Sequence, residues 1–495
     1  MTTAPAQSES RQLFSSSVAM IGGRLVSAGF GWAGSVIIAR SLTGDDWGRY
    51  SFVFALLGML EIVTDLGVGR VVLARLISND RAEASKIAGS FFVLRALLGI
   101  VGFAIAVGYA WAIGLDPVVM AATMLAGTTV LIATPANALF VLYQSRLKLP
   151  YVALCDIAGQ AVQLLLIVVV SLFSPTLIMF ILPAVVREVI VFAGRAFGIP
   201  KLLDPKFRPS FREPTAYWGE MLREAIPLSV GFALLHLLER IDMLMLQQMD
   251  TFDAVGKYAV GYKFSDLLGL AVSALAIPFT TVLITAWPGK PEVFRARFRQ
   301  AVLIAALLAG VAVVVFIPSA QAVITLLYGV EFESASLAAI LLVVGAGFSG
   351  VTYAVVSSLI AAKKLRVFPI IAAAGLILNV VLNLILIPLQ SIVGAALATV
   401  ITESAMLVAM LLVLQWSLKV AQLIPWTIFI RMIIIVGVVV FLFTQLIDIN
   451  WVLEVVGSLV VFVAVWGVAE RKTSAVVVDL IRNRFGTETE PADDH

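Results

Sequence analysis

The chain has 495 residues, 61% apolar and 13% charged, with a formal net charge of +3. A soluble domain averages about 25% charged residues, so this sequence cannot cover a water-soluble globule, and a polytopic membrane protein is expected. Lone Cys155 rules out an internal disulfide, the two histidines His236 and His495 rule out a Cys/His metal site, and no G-x-x-x-x-G-K-[ST] loop exists to bind ATP.

A polar tail, residues 1–12, leads into a first apolar span at 13–42, too long for a cleaved signal peptide and so read as a retained anchor. Five more spans follow at 50–70, 89–114, 117–144, 150–173 and 175–199, and together they make an N-lobe, residues 13–199. Residues 200–223 hold three Pro and five basic residues from Lys201 to Arg223 and read as a linker. Spans seven to twelve, at 224–249, 258–287, 301–327, 334–360, 367–389 and 392–415, make a C-lobe, residues 224–415. Spans at 425–445 and 450–468 fill residues 416–469, and a tail follows at 470–495. Within the tail, 473–485 reads as an amphipathic helix and 488–495 as an acidic, unstructured end. Apolar runs of about 20 residues without two-residue alternation fit helices and exclude a barrel. The expected fold is all-α, about fourteen transmembrane helices in two six-helix lobes plus two C-terminal helices.

Nearly all loop Lys and Arg fall on one side of this arrangement, and the opposite loops contain only Arg49 and Lys257. The positive-inside rule places the basic side, and both termini, in the cytoplasm. Two short matches mark an internal repeat. Gly48-Arg49-Tyr50 follows the first span and Gly256-Lys257-Tyr258 the seventh, while Arg146-Leu147-Lys148 and Lys364-Leu365-Arg366 occupy the equivalent inner loops. Six spans per repeat is an even number, so the halves enter the membrane in the same sense, as in transporters whose repeats are related by an axis along the membrane normal.

Several motifs carry a family resemblance: Ala39-Arg40-Ser41-Leu42 running to Trp47-Gly48-Arg49-Tyr50, then Asp65-Leu66-Gly67. In the second half they are Ile241-Asp242, Ala254-Val255-Gly256-Lys257-Tyr258, Leu327-Tyr328-Gly329, and Ile387-Pro388 leading to Gly394-Ala395-Ala396. In this ordered set the chain resembles the polysaccharide-transport branch of the multidrug, oligosaccharidyl-lipid and polysaccharide exporter superfamily. The resemblance implies an inner-membrane flippase that moves an undecaprenyl-diphosphate-linked oligosaccharide to the outer leaflet, with membrane lipids and other polysaccharide-assembly proteins as partners. It implies no enzyme activity, no cofactor and no nucleic acid. A cation-coupled multidrug antiporter of the same superfamily is the alternative, opposed by Arg24, which would repel a cation. A membrane glycosyltransferase or polymerase is a third reading, opposed by outer loops too short to hold a catalytic domain.

An ionisable group at mid-membrane costs about 2.5–3.5 kcal/mol on insertion scales, so each one needs a partner or a wet site. Arg24 in the first span either pairs with an acid such as Glu61 or Asp156 or grips the lipid diphosphate with its planar fork. Arg187 in span six is a second diphosphate contact, and adjacent Glu188 points about 100° away on an ideal helix. Arg95 is a third, although its depth in span three allows it to snorkel to the cytoplasmic surface. Glu61 and Asp65, i and i+4 in span two, are ion-coupling candidates or partners for Arg24. Glu403 in span twelve is another coupling candidate. Asp242 and Lys263 are expected to form a structural pair. Arg431, in the unpaired span thirteen, is a candidate for a groove that guides the lipid chain. Asn379 and Asn383, i and i+4 in span eleven, read as interhelical glue.

Overall fold

The computed structural model describes residues 4–78, 80–202, 209–446 and 450–470, and every described element is helical. The expectations for the amphipathic and acidic parts of the C-terminal tail lie outside these residues. In chain order the helices are α1 (Ala4–Ser41), α2 (Gly44–Met59), α3 (Glu61–Asp65), α4 (Val68–Ser78), α5 (Arg81–Ala112), α6 (Pro117–Ser145), α7 (Leu149–Phe173) and α8 (Leu177–Leu202). They continue as α9 (Trp218–Met249), α10 (Phe252–Ile284), α11 (Pro291–Tyr328), α12 (Ser336–Ala361), α13 (Phe368–Leu418), α14 (Trp426–Phe441) and α15 (Trp451–Ala469). Among the described residues, nine helices are long and apolar enough to cross a membrane, or up to eleven if each of two bent pairs is one span. Part of the difference from fourteen lies in α13, whose 51 residues contain both the eleventh and the twelfth expected spans. Within it Ser391 leaves helical dihedrals (φ 51, ψ −128), so two helices meet there in a sharp turn.

Helix starts follow from side chains that accept the first free amides. Thr43 takes the Asp46 amide, Asp80 the Glu83 amide, Asp116 the Val118 and Val119 amides, and Asn450 the Val452 amide. Pro117 at the first turn of α6 gives up an amide that had no partner anyway.

The chain forms two compact units. One holds Met1–Lys263, Ile324–Ala338 and Phe368–Thr402, the other Phe264–Val323, Ala339–Val367 and Glu403–His495. In the first unit α1 packs along α7, and α6 packs against α5 and α8. The segment after α8 lies on the start of α5. Ser210 donates its amide to the Ser85 carbonyl (2.9 Å), Ser90 its hydroxyl to Pro214, and Trp218 its indole N–H to Ser90. Arg75 joins α4 to α9 by bonds to Glu220 (2.7 Å) and Glu224 (2.6 Å). The seventh span, α9, therefore begins at Trp218, earlier than the sequence suggested, and residues 210–214 of the linker dock on α5.

In the second unit α14 and α15 pack on α11 around Gly310, which faces the Met432 sulfur and the Phe462 ring. Ser458 donates to the Val314 carbonyl at 3.3 Å. Lipid is as apolar as Leu, so close packing of this kind and hydrogen bonds, not burial from water, hold such helices together.

The second expected span is broken. Leu66 (φ 45) and Gly67 (φ 66) adopt left-handed conformations, and the chain bends by 41° between Gly44–Asp65 and Val68–Ser78. α9 bends by 64° just after Pro227, which cannot donate an amide within the helix. The two breaks meet, because Ser229 donates its hydroxyl to the Leu66 carbonyl at 3.0 Å. A methyl added to Gly67 would lie 2.8 Å from the Ser229 Cβ. Gly67→Ala is therefore expected to destabilise the protein by about 1–3 kcal/mol through strain and clash, seen as a lower unfolding midpoint in detergent. An unchanged midpoint would contradict this account of the break.

Candidate functional site

The break in span two releases backbone carbonyls inside the membrane, where no bulk water can satisfy them. Arg95 of α5 answers that need. Its side chain is 4% exposed, and its Nη1 donates to the Thr64 carbonyl (2.6 Å) and to Asp65 Oδ1 (2.6 Å), while Nε donates to the Thr134 carbonyl of α6 (3.3 Å). One guanidinium thus ties three elements together. The snorkelling reading of Arg95 gives way, because the group is buried and its Nη1 and Nε donors are engaged within the protein. Asp65 is correspondingly the partner of Arg95 and not of Arg24.

Other embedded arginines also meet acids. Arg195 of α8 donates to Asp156 of α7 (2.7 Å) and to the Ala136 carbonyl (3.0 Å), a pair that sequence reading missed. Arg187 folds back onto adjacent Glu188 at 2.6 Å, so the angular separation of neighbouring residues does not prevent their neutralisation. Arg431 donates to Glu470 (2.8 Å) and to the Ala469 carbonyl at the end of α15. It is an interhelical tie between α14 and the end of α15. Glu403 is half-buried and engaged by neighbours.

Arg24 differs. It is exposed on α1, and among the described residues no carboxylate pairs with it. The acids proposed for it go elsewhere or stay apart: Asp156 binds Arg195, and the exposed Glu61 carboxylate lies in the field of His236, which itself contacts Glu239 at 3.2 Å.

Asp242 on α9 is fully buried. Its carboxylate accepts from the Tyr258 hydroxyl (2.7 Å), the Tyr262 hydroxyl, the Thr399 hydroxyl (3.4 Å) and the Met243 amide (2.8 Å). The Arg240 guanidinium lies outside this cage, over the Tyr262 ring at 5.2 Å. Tyr258 and Tyr262, one helical turn apart on α10, both face the carboxylate. Buried Asn379 and Asn383 bond to one another (2.8 Å), and Asn379 reaches Thr402 (3.5 Å), as glue between the two parts of α13.

Residues 13–284 match the family described as polysaccharide biosynthesis protein. The chain belongs to that family. No curated protein matches it. Among solved structures it is similar to the lipid II flippase MurJ in an inward closed conformation, with a TM-score of 0.74, 14% identity, and coverage of 92% of this chain and 99% of that one. It is similar to an inward-facing multidrug resistance MATE family transporter of the MOP superfamily, with a TM-score of 0.68, 14% identity, and coverage of 81% and 98%. A mutant of the Vibrio cholerae MATE transporter VcmN matches with a TM-score of 0.57, 16% identity, and coverage of 85% and 99%. The protein is therefore a multi-pass membrane protein with the fold shared by flippases and transporters of the MOP superfamily, as its ordered motifs implied.

The Arg95 tie can be tested by stability. Arg95→Met strands the Thr64 and Thr134 carbonyls, at about 1–3 kcal/mol for each buried group left unsatisfied. Asp65→Asn is expected to cost less, because that carboxylate is half-exposed. The double variant should unfold in detergent as early as Arg95→Met alone. Recovery in the double variant would mean that charge, and not the carbonyls, is what Arg95 serves.

Proposed function

We propose that the protein is a flippase for an undecaprenyl-diphosphate-linked oligosaccharide, carrying it from the cytoplasmic to the outer leaflet by alternating access between two six-helix lobes. The reading is supported by the family match and by the shared fold with a lipid II flippase. The observation that carries it is Arg24. A guanidinium on a membrane helix is costly unless it is answered, and among the embedded arginines considered for the diphosphate, Arg95 and Arg187 are already neutralised by acids while Arg24 is not. It lies about 26 Å along α1 from Ser41, at 1.5 Å per residue, on the side from which a cytoplasmic headgroup would enter. A diphosphate supplies the paired oxygens that a guanidinium fork binds best.

Arg24→Ala should abolish flipping in reconstituted liposomes while leaving the protein folded in the membrane. Arg24→Lys should restore only part of the rate, because it keeps the charge and loses the fork. Full activity in Arg24→Ala would remove the diphosphate contact.

The cage around Asp242 supports a second part of the proposal, ion coupling. A buried carboxylate that accepts hydrogen bonds from hydroxyls and an amide offers a site for a proton or a small cation, whereas Asp65 has its charge met by Arg95. Glu61 and Glu403 are the remaining coupling candidates. In liposomes, Asp242→Asn should make the flipping rate insensitive to imposed proton and sodium gradients. If the variant keeps the full gradient response, coupling belongs to Glu61 or Glu403.

A further inference from the structure

The end of the second unit where α11 begins is tightly built and strongly basic. Phe294 and Phe298, in the first turns of α11, are buried, and Phe294 packs on Trp287 (5.3 Å between ring centres). Arg297 donates to the Thr285 hydroxyl (2.9 Å). Arg295 pairs with Glu292 and donates to the Ala421 carbonyl (3.0 Å), which fixes the loop before α14 against α11. Gln415 closes that loop by donating to the Val420 carbonyl (2.7 Å) and accepting the Leu423 amide (3.2 Å). α12 packs back along α11, with Gly347 against Ala309, and so brings Lys363 to Arg366 to the same end.

On this frame Lys290, Arg299, Lys363, Lys364, Arg366 and Lys419 are exposed, and among the described residues no carboxylate pairs with any of them. Glu292 and Glu470, the acids described at this end, are taken by Arg295 and Arg431. The first unit is different. There Arg75 meets Glu220 and Glu224, and Lys86 meets Glu213. The positive-inside rule accounts for the Lys and Arg of both units, but acids contribute little to orientation, so it does not account for a surface without them.

The same chain carries an acidic counterpart. Residues 488–494 hold Glu488, Glu490, Asp493 and Asp494 and no Lys or Arg. They lie outside the described residues, but the point that tethers them is fixed. α15 ends at Ala469, and Arg431 bonds Glu470 (2.8 Å) just beyond it. Arg431 stands near the start of α14, and the loop just before α14 is the one that Arg295 holds through Ala421. The tail therefore leaves the helices beside the basic surface. Glu488 is 18 residues beyond Glu470, a reach of about 27 Å at a helical rise of 1.5 Å per residue and about 60 Å when extended.

We propose that the basic surface at this end of the second unit is the docking site of the chain's own acidic segment, residues 488–494. Exposed ion pairs are individually weak, so the contact depends on several at once and gives way to salt, whose screening length shrinks from about 10 Å at 0.1 M to about 3 Å at 1 M. The docking is independent of the cargo that the protein moves.

The test is zero-length cross-linking of the purified protein with a carbodiimide, which joins an activated carboxylate to a lysine amine that touches it. In neutral detergent the peptide 485–495 should be linked to Lys290, Lys363, Lys364 or Lys419, and the links should persist in liposomes of phosphatidylglycerol and phosphatidylcholine. Arg299→Glu with Arg366→Glu leaves all four lysines in place and should cut the yield at least about threefold, the effect of two lost exposed pairs. Absent links, links to Lys86 or Lys148 of the first unit instead, or an unchanged yield in the double variant would overturn the docking. So would links found only between isotopically distinct copies, which would seat a second molecule's tail there, or links lost in the liposomes, which would make anionic lipid the occupant.

Discussion

Carbonyl groups set free inside a bilayer must find donors within the protein, and the rest of the first unit is organised around that demand. The left-handed pair Leu66 and Gly67 opens span two. Arg95 then takes the Thr64 carbonyl and the Asp65 carboxylate from one side, and Ser229 takes the Leu66 carbonyl from the other. The break is thereby shared by α3, α5, α6 and α9. Arg95 and Arg195 are engaged by acids and carbonyls within the protein, whereas Arg24 has no carboxylate partner among the described residues.

The repeat is kept around Gly48 and Gly256 and lost around Asp242. The motifs around Gly48 and Gly256 retain their glycine, their internal charge pair and their stacked rings. The positions that cage Asp242 are not retained. With the same spacing, Tyr258 and Tyr262 correspond to Tyr50 and Phe54, and Asp242 to Gly34. The first half therefore has no counterpart of the buried carboxylate, and a single coupling group in one half suffices to bias a two-state transporter, provided that its ion binds the two states unequally.

Much of the fold was legible because hydrophobic length and loop charge report directly on membrane spans. The α-helical class and the multi-pass membrane architecture came from these signals. The breaks were not legible, since Leu66 reads as an ordinary apolar residue and nothing local shows that Arg95, thirty positions away, will cover the exposed carbonyls. Charge partners were misassigned for the same reason. Asp242 and Lys263 stand at similar depth in neighbouring helices, but which side chains face the carboxylate depends on the rotation of α10, which brings Tyr258 and Tyr262 to it. Arg431 lies near the start of α14 and Glu470 just past the end of α15, neighbours only once the two helices are folded together.

The central claim, that the cargo is an anionic lipid-linked glycan, is tested most directly by offering both classes of cargo to the purified protein in liposomes. One arm follows a fluorescent undecaprenyl-diphosphate oligosaccharide by its protection from an impermeant quencher, and the other follows uptake of a fluorescent organic cation. The account predicts protein-dependent flipping of the lipid and no transport of the cation. Cation transport without lipid flipping would contradict it and would make the protein a multidrug antiporter.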